Sequence, residues 1–400
     1  SALLAGDRFF TSDFARKIKN SPAGNKSTAL LNVPGTLSTP DKSKRLNRVN
    51  VYGINNSFWE LASTGKNIIN ITDDEFLAIG SAIAERQNLK IGDRIIIKVE
   101  MPGHVSRDAP LSGESGKLAT ISSEITHIVK PQSGGHFSLQ ANQSAALNIF
   151  VPLKKLQEEI SKENRVNVIL SSNTERFEQA VQESWTHEDI ELKYTSETIS
   201  NTEVSMFQSD RVFISDKVES AMKEADSTAE PILSYLINDI VHEEKSVPYS
   251  VGTGIGPLAA KLLGIEPPKN NEVYINEWLS QNPEQGGLDI GSGHSINISY
   301  FSVINTREFT TVGDKLDEDG VEDNSDFREL TVTKTIPSDS PGLTISWVPE
   351  FPGLKTAKTL SSWESGLPLD TKRIRDQDEE YWEKYRATPK IFISIDLAKE

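Results

Sequence analysis

The sequence carries one long pattern twice. Ile79-Gly80-Ser81-Ala82-Ile83-Ala84, Leu89-Lys90-Ile91-Gly92-Asp93 and Arg94-Ile95-Ile96-Ile97-Lys98-Val99 return as Ile275-Asn276-Glu277-Trp278-Leu279-Ser280, Leu288-Asp289-Ile290-Gly291-Ser292 and Ser295-Ile296-Asn297-Ile298-Ser299-Tyr300. The offset is about 196 residues at the start (275 minus 79) and about 199 at the turn (290 minus 91). Flanking pieces keep the same order: 49–53 matches 247–251, and Asn148-Ile149-Phe150-Val151-Pro152 matches Lys390-Ile391-Phe392-Ile393-Ser394. A unit repeated at this length predicts two related halves, 1–206 and 207–400, that share one fold.

Each copy reads as helix, Ile-Gly turn, strand, long loop, strand. In the first, a helix is expected over 77–87, with Thr72, Asp73 and Asp74 as capping candidates, then strands over 94–99 and 122–129. In the second, a helix is expected over 272–281 and strands over 295–301 and 328–336. Phe10, Phe14 and Ile18 give one apolar face to a short helix near the start. Between the copies, a strand over 166–171, a helix over 175–185 with Phe177, Ala180, Val181 and Trp185 inward, and a strand over 190–194 form a βαβ-like unit. A second strand-to-helix passage follows at 211–224, capped by Ser215 or Asp216. The mixture predicts an α+β fold of two related halves, each with mixed strands, short helices and a small β-rich subdomain.

Net charge narrows the partners. At −16, from 42 Lys+Arg against 58 Asp+Glu, the overall field repels phosphate backbones, so nucleic acid is not an expected partner. With no cysteine, thiolate catalysis, cysteine-ligated zinc, iron–sulfur clusters and disulfides are excluded. No stretch reaches the roughly 18 to 20 apolar residues of a membrane span.

The motifs resembling chemistry have structural explanations. Gly254-Ile255-Gly256-Pro257-Leu258-Ala259 fits the G-x-G-x-x-A form of a dinucleotide site, but the first copy has Gly53-Ile54-Asn55-Asn56-Ser57 there and no parallel-sheet succession surrounds it, so it is read as a glycine-rich turn capping a short helix. His104, His127, His136, His187, His242 and His294 include no H-x-x-x-H pair and no HExxH, so no metal is expected. Ser292 and His294 are the only residues a secreted hydrolase could offer, and they sit in a turn that replaces Gly92-Asp93-Arg94. The acidic run 314–326 lacks the EF-hand spacing for calcium. No G-x-x-x-x-G-K-[ST] is present, so no ATP site or other cofactor is expected. Along 376–386, Asp378, Tyr381, Trp382 and Tyr385 share one helical face, and Arg375/Glu379 and Glu380/Lys384 stand at i,i+4 spacing. Tyr381, Trp382 and Tyr385 are the candidate partner-interaction residues; no residue is assigned to catalysis, cofactor or metal.

Four segments carry a family resemblance: 3–12, 48–54, 137–143 and 370–378, the last extended by Tyr381-Trp382-Glu383-Lys384-Tyr385-Arg386-Ala387-Thr388-Pro389-Lys390. Together they resemble the large extracytoplasmic domain of FtsX-like ABC transporter permeases, related to the MacB-type periplasmic core domain. The resemblance implies a non-catalytic domain inserted between two membrane helices of a cell-membrane protein, driven by a separate cytoplasmic ATPase and acting on cargo or a partner outside the membrane. It further implies that Asp7 and Leu397 lie at one end of the molecule, within roughly 30 Å given the spacing of packed helices. The reading from another class is a free-standing secreted binding or adhesion protein.

Overall fold

The computed structural model describes residues 2–4, 8–22, 26–62, 69–71, 75–101, 118–139, 145–173, 176–209, 214–304, 308–312, 329–349, 357–363 and 369–400. The acidic run 314–326, the capping candidates Thr72 to Asp74, Asp7 and His104 lie outside the described residues. The described chain forms two compact units, one made of Ser1–Gly103 with Ser115–Leu192, the other running through Lys193–Glu400. The fold class is α+β, as the sequence predicts.

In the first unit the order is β1 (Ala2–Leu4), β2 (Phe10–Thr11), α1 (Ser12–Asn20), β3 (Ser27–Ser38), β4 (Arg45–Ile54) and α2 (Asn56–Ala62). Then come β5 (Ala78–Gly80), α3 (Ser81–Gln87), β6 (Arg94–Glu100), β7 (Leu118–Glu124), β8 (His127–Val129), β9 (Asn148–Pro152) and α4 (Leu153–Glu159). The unit ends with β10 (Arg165–Val166), β11 (Val168–Ser171) and α5 (Phe177–Ser184). The second unit holds β12 (Leu192–Ile199), β13 (Thr202–Ser209), α6 (Asp216–Ala225), β14 (Leu233–His242), β15 (Lys245–Ile255) and α7 (Pro257–Leu262). It continues with β16 (Glu272–Asn276), α8 (Glu277–Ser280), β17 (Ser295–Ile304), β18 (Glu308–Val312), β19 (Glu329–Ile336), α9 (Asp376–Tyr385), β20 (Ile391–Ser394) and α10 (Ile395–Lys399).

Both units close a barrel, and the strand order is the same in each. In the first, β3 pairs β4 antiparallel, β4 pairs β9 parallel, β9 pairs β5 antiparallel and β5 pairs β8 parallel; β7, continuous with β8, pairs β6, which returns to β3. In the second, β14 pairs β15, β15 pairs β20 parallel, β20 pairs β16 antiparallel, β16 pairs β19 parallel, and β19 pairs β17, which returns to β14. The alternation of Ile95, Ile97 and Val99 with exposed or half-exposed neighbours on β6 sends one face inward, where Leu37, Leu46, Ile79, Ile149 and Val151 join it. Ile240, Val247, Ile275, Ile391 and Ile393 occupy the corresponding core positions of the second barrel.

The ladders set the equivalences more tightly than sequence comparison does. Ile149 faces Ile79 as Ile391 faces Ile275, which upholds the sequence pairing of 148–152 with 390–394 and of Ile79 with Ile275. Elsewhere the sequence match slips. Gly53 faces Val151 as Gly254 faces Ile393, so Gly53 corresponds to Gly254 and not to Val251. Gly92, at φ 93°, donates its N–H to the Ile125 carbonyl, and Gly293, at φ 95°, donates to Val332, so the turn glycine of the second copy is Gly293 and not Gly291. Only a residue without Cβ takes that left-handed geometry at no steric cost.

Gly53 and Gly254 serve one packing purpose. A Cβ at Gly53 would stand 3.0 Å from Leu156 of α4, and one at Gly254 would stand 2.3 Å from Ala398 of α10. Each glycine therefore lets the helix after the closing strand lie directly on the neighbouring strand. Gly254→Ala is expected to cost about 1–3 kcal/mol by displacing α10, measured as a lowered urea midpoint; an unchanged midpoint would show that α10 moves freely.

Other expectations are corrected. The helices expected over 77–87 and 272–281 each begin as a short strand, β5 and β16, before turning helical at Ser81 and Glu277. Those strand residues are almost all buried, and a short continuous apolar run has no periodicity to separate strand from helix. The βαβ-like unit is absent: β12 pairs with β13 in a separate two-stranded hairpin, while β11 joins β1 and β3. Trp185, expected inward, is 51% exposed just past the end of α5. Near the start, α1 begins at Ser12 because the Thr11 hydroxyl accepts the Phe14 N–H; Phe14 and Ile18 are buried, and Phe10 packs on Phe14 from β2.

Candidate functional site

The aromatic helix of the sequence, α9, builds the most heavily charged interior region of the second unit. Its first turn is held by Arg375, whose backbone N–H donates to Asp378 Oδ2 at 3.0 Å. The Arg375 guanidinium then grips the same carboxylate with two bonds of 2.8 Å and reaches the carbonyls of Gly286 and Ser246. This two-pronged geometry is the strong form of a charge-assisted bond. Asp378 is the acceptor of Arg375, not Glu379 as the i,i+4 spacing suggests; Glu379 instead accepts the N–H groups of Leu360 and Ser361. Lys384 stands 4.8 Å over the Tyr385 ring.

Lys390, one residue before β20, points its amine into the same region. It is 2% exposed, with Nζ 3.8 Å from Asp378 Oδ1, 4.1 Å from the centre of the Trp278 ring and 4.6 Å from that of Tyr381. Burial pulls its ammonium down to about 8; the Asp378 carboxylate works against that shift and Arg375 with it. The aromatic faces supply part of the solvation the amine has lost. At the equivalent position the first barrel has a neutral buried residue, Asn148, whose amide donates to the carbonyls of Gly135 and Phe137 and accepts from Asn50. Sequence comparison aligns these two residues, and nothing in either segment announces that one would become a charge centre.

The three candidate interaction residues have different settings. Tyr381 is buried, accepts from Asn276 Nδ2 at 2.9 Å and donates to the Thr388 carbonyl at 2.9 Å, so it ties α9 to β16 and to the approach to β20. Burial raises its phenol pKa, which keeps it a neutral donor. Trp382 is buried, and its Nε1 donates to Ala357. Tyr385 is half-buried. A small crevice is lined by Tyr249, Trp363, Trp382, Arg386, Asp378 and Lys390 among others. Chemically, the arrangement is a cation–carboxylate–cation cluster walled by aromatics, buried at Asp378 and Lys390 and partly exposed at Arg375, that fixes α9, α8 and β20 in one geometry. Such clusters hold position more than they add stability.

The remaining motifs resolve as turns. In Gly254–Ala259 the N-terminus of α7 is already occupied: the Glu230 carboxylate accepts the N–H groups of Leu258 at 2.8 Å and Ala259 at 2.6 Å. A Cβ on Gly256 would stand 2.7 Å from that carboxylate, so the glycine makes room for Glu230, where a dinucleotide would need it for a pyrophosphate. At the Ile-Gly turns, Asp93 accepts the Lys90 N–H at 2.8 Å, and His294 Nδ1 stands 3.2 Å from the Gly291 nitrogen in the same role. Among the described residues no group of three or more histidine or acidic side chains gathers as for a metal, and no helix is long and apolar enough to cross a membrane.

No family model and no curated protein matches the sequence. Among solved structures, the periplasmic region of MacB from Actinobacillus actinomycetemcomitans is similar over 57% of this chain and 93% of its own, at 11% identity and a TM-score of 0.32. The extracellular domain of the noncanonic ABC-type transporter YknZ from Gram-positive bacteria is similar over 43% of this chain and 78% of its own, at 12% identity and a TM-score of 0.28. Likenesses at these scores are distant and decide neither fold nor activity.

Proposed function

We propose that the chain is a non-catalytic extracytoplasmic domain of an ABC transporter permease in the cell membrane, made of two MacB-like repeat halves, 1–206 and 207–400. It couples motion driven by a separate cytoplasmic ATPase to export or release of a substrate, or to a partner protein outside the membrane. The observation that carries this reading is the setting of the most specific family-like segment, 370–390. Its residues form the Arg375–Asp378–Lys390 cluster and the aromatic wall that bind α9 to the second barrel. A domain that transmits force benefits from elements locked by directional, buried contacts. Of the three aromatic residues on α9, Tyr385 is the one a partner reaches first, since Tyr381 and Trp382 are buried.

The test is biochemical. The protein encoded by the complete gene, expressed with its genomic neighbours, is expected in the membrane fraction and to co-purify in detergent with an ATP-hydrolysing subunit. Recovery as a freely secreted protein without any ATPase would overturn the proposal and favour a secreted binding or adhesion protein.

A further inference from the structure

Two histidines 52 positions apart meet at one end of the second barrel. His242 closes β14 and His294 stands in the turn before β17; their rings lie 5.3 Å apart between centres, at 82°. His242 Nδ1 is 2.7 Å from Ser295 O, a pure acceptor, while His294 Nδ1 lies 3.0 Å from Gly291 O and 3.2 Å from Gly291 N, so an ion on Nε2 would select the form of His294 whose Nδ1–H donates to that carbonyl. An imidazole whose Nδ1–H donates to a carbonyl keeps the lone pair of Nε2 for another use. This is the outer-shell arrangement that fixes the tautomer of metal-ligating histidines.

The spacing suits a shared ion. An Nε2–metal bond of about 2.0–2.1 Å places a metal roughly 3.2 Å from each ring centre, and a tetrahedral angle then separates the two centres by about 5 Å. The electrostatics point the same way. Exposed Glu243 and Glu244 form the hairpin turn directly after His242, Asp289 lies on the adjoining turn, and Lys245 is engaged by the Leu288 carbonyl and Asp289. The first barrel carries no counterpart: the ladder equivalences put Thr39 at the place of His242 and Asp93 at the place of His294.

We propose that His242 and His294 form a two-histidine site for a divalent first-row transition ion, with zinc or copper favoured by imidazole ligands and water completing the shell. Sequence spacing gives no sign of it, because only the β14–β17 pairing brings the two residues together.

The experiment titrates the full chain with Zn²⁺ and Cu²⁺ by calorimetry and follows the histidine ring nitrogens by NMR as Zn²⁺ is added. One saturable site is expected, with the Nε2 resonances of His242 and His294 shifting together. His242→Thr and His294→Asn, which place Thr39's residue type at one position and retain a turn acceptor at the other, are each expected to weaken binding at least about 10-fold, the lower bound for losing even an outer-shell partner. His136→Ala, removing an exposed histidine of the first unit, should leave affinity unchanged. Thermal midpoints near wild type establish that the variants are folded, and the NMR readout on the unmodified chain stands whether or not a variant folds. Absence of saturable binding, affinity unchanged in either variant, or Nε2 shifts at other histidines overturns the site.

Discussion

Asp378→Asn is expected to destabilise the second unit by about 3–5 kcal/mol, the cost of breaking a buried pair from one side. The substitution keeps the shape of the side chain but removes the charge that Arg375 holds with two 2.8 Å bonds and that faces Lys390 at 3.8 Å. Arg375 then loses its carboxylate, and Lys390 loses the charge that favours its ammonium in a setting where burial already works against it. Scanning calorimetry should show the second unit's transition falling while the first unit's, which lacks this cluster, stays in place. A shift under about 0.5 kcal/mol, the size of an ordinary surface substitution, would show that the cluster is not what fixes α9.

Lys390→Met is expected to act in the opposite direction and to depend on pH. The folded-state pKa of Lys390 is lowered from 10.5 to about 8, so between these values the unfolded chain holds a proton that the folded chain has released. Stability rises with pH wherever the unfolded state binds more protons, so Lys390 penalises the fold below about pH 8, and the penalty is relieved as pH climbs toward 10.5. Its full size is about 3 kcal/mol from the shift, offset in part by the cation–π contacts that methionine cannot make. The checkable quantity is the difference in urea midpoint between Lys390→Met and wild type. It should favour the variant at pH 7 and shrink by pH 10.5, with titrations common to both proteins cancelling. A difference independent of pH would mean that Lys390 is charged throughout.

Much of the fold was legible because the barrel interior depends on apolar positions that recur in order. Ile79 and Ile275, and the closing strands 148–152 and 390–394, align by sequence as they do in the ladders. The turn glycine was mismatched because Ile91-Gly92 and Ile290-Gly291 look alike, whereas the hydrogen bond to the neighbouring strand selects Gly293. The strand-to-helix joints at Gly80 and Asn276 were hidden inside short apolar runs, and a helical reading swallowed both strands. The helical face of Asp378, Tyr381, Trp382 and Tyr385 was visible, but the partners that give it meaning come from elsewhere in the chain. Lys390 is twelve residues from Asp378 in sequence (390 minus 378), and Trp278 is a hundred away (378 minus 278); local spacing encodes neither contact.

Because each barrel is closed by a strand far along the chain from its first, the order of synthesis separates the two copies. All strands of the first ring have been synthesised once Pro152 is made, while the first ring strand of the second begins at Leu233. At ribosomal speeds the intervening 80 residues (153 to 232) take roughly 4 to 16 s, longer than most small domains need to fold. A ring that has already closed offers no open edge for a look-alike strand to join. The late β9 and β20 thereby turn a hazard of duplication, strand exchange between copies within one nascent chain, into a problem solved by timing.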